Sequence, residues 1–205
     1  RHHPIQPTTM KHTPTATRIL PETERLRLRR MELSDMQALS DILCDERVMY
    51  AYEGAFDQEQ VAAWMQKQLR RYEEHGFGLW AVVSRQTGEM IGQCGITMQE
   101  YAQRQVPEIG YLFAYRHWHR GYATEAAAAC RRYGFRTLGF DALYSIIRDT
   151  NVASQRVALR NGMLPVDTIV KHYRGVDMPH IVFRTRSGEA PAADTPPVLA
   201  CRPVR

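Results

Sequence analysis

The sequence predicts a mixed α/β domain: one sheet of parallel and antiparallel strands with helices on its faces. Three observations predict it. Strand-like alternation and helical spacing take turns from Glu24 to Arg186. A strand, a tight basic turn and a helix start follow one another within residues 108–126. Two strand-like runs then close the pattern around Arg174-Gly175. The order reads β-α-α-β-β-β-α-β-α-β-β, with no internal repeat, and strands interleaved with helices favour a sheet flanked by helices.

Residues 1–22 are polar, with scattered His, Pro and Thr and no periodicity. They read as a disordered arm, or a cloning remnant ahead of a natural start at Met10. Residues 23–186 form the expected domain. Leu26 and Leu28 alternate with Arg25, Arg27 and Arg29, as in a half-buried strand. Ser34-Asp35-Met36-Gln37 has the spacing of a capping box, so a helix is expected from Asp35 to about Cys44. Residues 47–56 make an aromatic loop. Asp57-Gln58-Glu59-Gln60 is a second capping box, with Phe56 and Val61 as staple partners. Val61, Trp64, Met65, Leu69 and Tyr72 fall at helical spacing and read as core packing, and Gly76 stops that helix.

Strands are expected at Phe77–Ser84 and Met90–Met98, where Gly92 and Gly95 signal a bulge or a close backbone approach. A further strand follows Pro107. The helix from Tyr122 to about Leu138 places Ala123, Ala126, Cys130, Tyr133 and Phe135 inward and ends at Gly139. Leu143–Arg148 is a strand, Asn151 caps a helix over 152–161, and Gly162 ends it. Leu164–His172 and Met178–Arg186 are the closing pair. Residues 187–205, rich in Gly, Pro and Ala, read as a disordered tail.

A chain of 205 residues suits one domain with a full core, and 44% hydrophobic with 24% charged residues is an ordinary globular balance. No apolar run approaches the roughly 18 residues of a membrane span, and no signal-peptide segment is visible, so a cytoplasmic protein without membrane partners is expected. The four cysteines, Cys44, Cys94, Cys130 and Cys201, show no paired metal spacing and read as reduced and structural. The histidines show no metal pattern either, so no metal is expected. The net charge of +5 suits an anionic ligand. No nucleic-acid reader motif is present, so nucleic acid is not expected as a partner.

The most informative stretch runs from Glu108 to Ala126. A helix N-terminus presents unpaired backbone N–H groups and partial positive charge, and Gly121 at its entry lets a ligand approach the backbone. That suits a phosphate or pyrophosphate. Neither a Walker pattern nor Gly-x-Gly-x-x-Gly is present. The full string is more specific: Glu108-Ile109-Gly110-Tyr111, then Trp118-His119-Arg120-Gly121-Tyr122-Ala123-Thr124-Glu125-Ala126, then Asn151-Val152-Ala153-Ser154 and Asn161-Gly162-Met163. In order and spacing it resembles the GNAT superfamily of acetyl-CoA-dependent N-acetyltransferases over about residues 23–186, and most the Rim-type branch with its ribosomal-protein N-terminal acetyltransferases. Trp118 stands where the wider superfamily often has Gln or Arg, and Met163 where the branch usually has Phe.

The resemblance implies the GNAT fold and an acetyl transfer from acetyl-CoA, as co-substrate, to a primary amine by direct attack. The acceptor is a protein N-terminus or a small molecule such as a polyamine, amino acid or aminoglycoside. The other reading is a non-catalytic coenzyme A-binding or ribosome-associated module, and a homodimer is left open. Backbone N–H groups of His119, Arg120, Gly121, Tyr122, Ala123 and Thr124 cradle the pyrophosphate, with the Arg120 side chain adding a charge-assisted contact. Tyr111, Leu112 and Phe113 pair with the pantetheine arm and polarise the thioester carbonyl. Asn151 bonds that arm. Glu108 is the expected base. A carboxylate near about 4.3 is a weak base for an amine near about 10, so a raised pKa or a water relay is required. Ser154 is the expected donor to the leaving thiolate, with Tyr111, Tyr122 and Tyr173 as alternatives. Residues 47–56, the first two helices and residues 171–180 are expected to line the acceptor side.

Overall fold

A computed structural model of the chain describes residues 18–52 and 54–189. Its elements are β1 (Leu26–Arg29), a 3-10 turn (Leu33–Asp35), α1 (Met36–Leu43), α2 (Glu46–Met49), α3 (Gln58–His75), β2 (Leu79–Ser84), β3 (Met90–Tyr101) and β4 (Arg104–Phe113). A second 3-10 turn (Tyr115–His117), α4 (Tyr122–Arg136), β5 (Ala142–Arg148), α5 (Val152–Arg160), β6 (Leu164–Tyr173) and β7 (Val176–Arg186) complete it. The seven strands form one sheet in the order β1-β2-β3-β4-β5-β7-β6. Among them only β4 and β5 run parallel. Apart from the extra short helix α2, element order and sheet type follow the sequence patterns, and the fold is the GNAT fold.

The local signals explain most boundaries. Asp57 and Gln60 make the expected reciprocal cap: Gln60 N–H donates to Asp57 Oδ1 at 2.8 Å and Asp57 N–H to Gln60 Oε1 at 2.9 Å. Gly76 ends α3 in the left-handed region at φ 75°. The β6–β7 turn has positive φ at both Arg174 (49°) and Gly175 (75°), which matches a type I′ hairpin. Gly95 marks a close approach: a Cβ there would lie 2.0 Å from the carbonyl oxygen of Gly78. Between β2 and β3 the register skips Ile91, the bulge that the glycines signalled.

Several expectations need correction. The first cap is built by Glu32 and Asp35, not Ser34 and Gln37, because the bidentate pull of Arg29 on Asp35 (2.7 and 2.8 Å) draws a 3-10 turn ahead of α1. The aromatic loop contains the short helix α2, capped by Asp45 accepting from Arg47 N–H. Helix α4 stops at Arg136, and its buried face is Ala126, Ala127, Ala129, Cys130, Tyr133 and Gly134, with Phe135 only partly buried under Arg131. Residues just ahead of position 23 pack on β1: Leu28 N–H donates to Pro21 O at 3.0 Å, and Glu22 bridges to Arg27. At the other end Ser187 N–H donates to Asp141 O at 2.8 Å. The rest of the expected arm and tail, residues 1–17 and 190–205 with Cys201, lies outside the described residues.

The main core lies between the sheet and helices α1, α3, α4 and α5, with Trp80, Leu26, Leu39, Ile42, Met65, Ile91 and Ile96 fully buried. Cys94 and Cys130, far apart in sequence, are both buried there as free thiols with sulfurs 3.5 Å apart. Among the described residues no helix is long and apolar enough to cross a membrane.

Candidate active site

The site follows from the one parallel join. β4 and β5 share a single paired position, Glu108 with Tyr144. Ser145 Oγ donates to Ile109 O at 2.8 Å, and Ile146 N–H donates to the Glu108 carboxylate at 2.7 Å. Beyond that point β4 continues through Tyr111, Leu112 and Phe113, paired only with β3. The sheet is therefore split on one side of Glu108, and two cavities open on the split. They share Tyr111, Leu112, Asn151 and Ser154.

The first cavity, about 260 Å³, holds all ten residues expected for the cofactor: Tyr111, Leu112, Phe113, His119 through Thr124, and Asn151. His119 (φ 61°) and Gly121 (φ 78°) are left-handed while Arg120 between them is not. Such alternation turns successive N–H groups into one concavity, a nest for an anion. The first intrahelical bond, from Glu125 N–H to Gly121 O, leaves the N–H groups of Tyr122, Ala123 and Thr124 outside the helix ladder. Both ring nitrogens of His117 are buried in this cavity without a partner, and burial lowers its pKa. A neutral imidazole with unmet hydrogen bonds fits a polar ligand passing over it. The site thus fits a ligand combining a pyrophosphate with an amide-bearing arm. The Arg120 side chain is exposed.

Sequence patterns missed the clamp under this loop. Arg25 looked like a solvent-facing strand residue. Its guanidinium pairs with Glu125 at 2.7 Å, donates to Arg120 O at 2.9 Å and lies 4.4 Å over the Tyr122 ring. Trp118 adds an Nε1–H bond to Phe113 O at 2.9 Å, which ties the turn to the end of β4. Arg25→Ala is expected to weaken acetyl-CoA binding about five- to tenfold by calorimetry while lowering stability by less than about 1 kcal/mol, because an exposed ion pair adds little to folding.

The second cavity, about 400 Å³, contains Glu108. Burial pushes its pKa up to about 7, against the pull of the Ile146 N–H and the charges of Lys171 and Arg71. That is the value a general base needs near neutral pH. Tyr52 is 43% exposed, yet its hydroxyl sits at the desolvated inner end beside Glu108, which raises its pKa. Trp64, expected as plain core, is only partly buried: it lines this cavity and donates Nε1–H to Gln93 Oε1 at 3.0 Å. Its lining comes from Met49, Ala51, Tyr52 and Phe56, from α3, from strands β2–β5 with the start of α5, and from the β6–β7 hairpin, while α1 contributes none of it.

Ser154 and Asn151 sit where the cavities meet. Asn151 Oδ1 caps α5 by accepting from Ser154 N–H at 3.2 Å, so its amide NH2 is the half left for a ligand. Tyr111 donates its hydroxyl to Ser154 O at 2.8 Å, and burial holds that phenol well above its ordinary pKa. Tyr122 stacks on Phe113 on the cofactor side, and Tyr173 lines the Glu108 cavity.

Comparison with known proteins places the chain in a family. Residues 25–164 match the family model described as an acetyltransferase (GNAT) domain. The chain is 43% identical over 150 residues to the uncharacterized protein YkkB of Bacillus subtilis (strain 168), covering 73% of this chain and 87% of that one. It is 31% identical to the uncharacterized N-acetyltransferase YoaA of the same organism, covering 69% and 80%. Among solved structures it is similar to an acetyltransferase from Agrobacterium tumefaciens str. C58, with 31% identity, a TM-score of 0.69 and coverage of 81% and 93%. With its sheet split beside Glu108 and a family match over well more than half its length, the chain belongs to the GNAT acetyltransferase family.

Proposed function

We propose that this protein acetylates a primary amine with acetyl-CoA by direct attack, using Glu108 as base. The observation that carries this reading is a buried carboxyl group, its pKa pushed up to about 7 by desolvation, in a cavity that joins the cofactor cavity at Tyr111, Leu112, Asn151 and Ser154. Acetyl-CoA supplies the activated acetyl thioester. The His119–Thr124 nest holds the pyrophosphate. The free side of β4 at Tyr111–Phe113 and the Asn151 amide take up the pantetheine amides, and a β4 N–H polarises the carbonyl. Glu108 accepts the ammonium proton, directly or through water. Ser154, at the cavity junction, donates a hydrogen bond toward the departing sulfur. The Rim-type character of the Trp118–Ala126 loop supports a ribosomal-protein-like N-terminus as one acceptor and leaves small amines as the other.

Calorimetry with acetyl-CoA, followed by thiol release over peptides and small amines, tests the reading. Micromolar binding with turnover of at least one amine is the expected result. Tight binding without turnover across the panel would favour the non-catalytic coenzyme A-binding module, and no binding would remove both readings.

A further inference from the structure

The cavity around Glu108 is strongly basic. Lys67 and Arg71 lie one turn apart on α3, Arg148 ends β5, and Lys171 lies on β6; all four line it. Glu108 is the one carboxylate among the described lining residues. None of the four cations makes an ion pair among the described residues. Among the described residues Arg71 donates to the Gln68 amide at 3.1 Å, Arg148 donates to Tyr50 O at 3.5 Å while its Nε–H is buried without a partner, and Lys67, more exposed, lies 5.8 Å from the Trp64 ring centroid. Unpaired cations in a partly desolvated space are uncommon, since burial penalises a charge that lacks a counterion. Coenzyme A phosphates do not account for them. The phosphate nest lies in the other cavity, which has its own Arg120, Arg156 and Arg160.

We propose that the acceptor is a zwitterionic small molecule: a primary amine that carries its own carboxylate, seated against Arg71, Arg148 and Lys171. This rests on the acetyltransferase reading and narrows its substrate class. A polyamine or aminoglycoside would bring several positive charges into a space already lined by four cations against one acid, and like charges in a partly desolvated site repel. An amino acid brings the missing anion instead. The same cations favour the neutral form of its amine, the form that attacks. Met49, Phe56 and Trp64 give the cavity an apolar side, which suits an apolar body between the two charged ends.

The test uses phenylalanine, its amide, phenethylamine and spermidine as acceptors at pH 8.5, above the value of about 7 that burial gives Glu108 in wild type. Phenylalanine should exceed phenethylamine and the amide in kcat/KM by about tenfold or more, with spermidine slowest. The preference should fall toward unity in Arg71→Gln and Lys171→Gln. An NMR titration with 3-phenylpropionate, which has the anion but no amine, reads the subsite without turnover. It should bind the wild-type protein, weaken about tenfold in the variants and weaken with added salt. Equal shifts by 3-phenylpropionamide, preference for spermidine, or an acidic peptide N-terminus outrunning every amino acid would each overturn the proposal. Absence of acetyl-CoA binding would instead count against the acetyltransferase reading, and the titration would still decide the anion subsite.

Discussion

Glu108→Gln is expected to lower kcat/KM about a hundredfold or more at pH 8, the usual loss when a positioned general base is removed. Wild-type kcat/KM should rise with pH through a midpoint near 7, because the carboxyl group must lose its proton before it can take one from the ammonium, and its pKa is about 7. The variant should lose that limb. Its affinity for acetyl-CoA should stay close to wild type, since Glu108 does not line the cofactor cavity. A pH–rate profile with parallel calorimetry checks both. An unchanged rate and an unchanged limb would remove Glu108 from the chemistry and turn attention to Tyr52 and a water relay.

Gly121→Glu is expected to weaken acetyl-CoA binding about a hundredfold or more. Two effects combine. The residue sits at φ 78°, where a side chain adds about 1 kcal/mol of strain. Its Cβ would lie 3.5 Å from the Arg25 guanidinium, so the new carboxylate would compete for the clamp and place negative charge beside the phosphate nest. Gly121→Ala carries the strain without the charge and should weaken binding by about tenfold or less. Calorimetry on the pair separates the two. If both variants bind like wild type, the anion is held elsewhere.

The legibility of the sequence depended on distance along the chain. The residues expected for the cofactor lie close together in sequence, so the stretch 108–126 and the cap at Asn151 point to one place, and all ten line a single cavity. Helix ends with local chemistry, at Asp57 and Gly76, were equally readable. The unreadable parts were assembled by topology. Arg25 and Glu125 are a hundred residues apart and meet only because β1 passes beside the start of α4. The cations around Glu108 come from α3, β5 and β6, and each alone looks like a solvated charge on an amphipathic element. Trp64 obeyed the helical period of the core and still reached a cavity, because periodicity reports the buried face and not what that face encloses.

The burial of Glu108 also makes the native state itself depend on pH. Its carboxyl group has an ordinary value of 4.5 in an unfolded chain and about 7 when folded. The folded protein therefore holds this proton more tightly. The group favours folding fully below pH 4.5, and that contribution fades as the pH climbs through 7. By pH 8 the ionised form opposes folding by about 3 kcal/mol relative to acid conditions. Glu108→Gln, poor in turnover, should thus melt several degrees above wild type at pH 8 and close to it at pH 5. The protonation state that is ready to react is the one that the folded chain tolerates least.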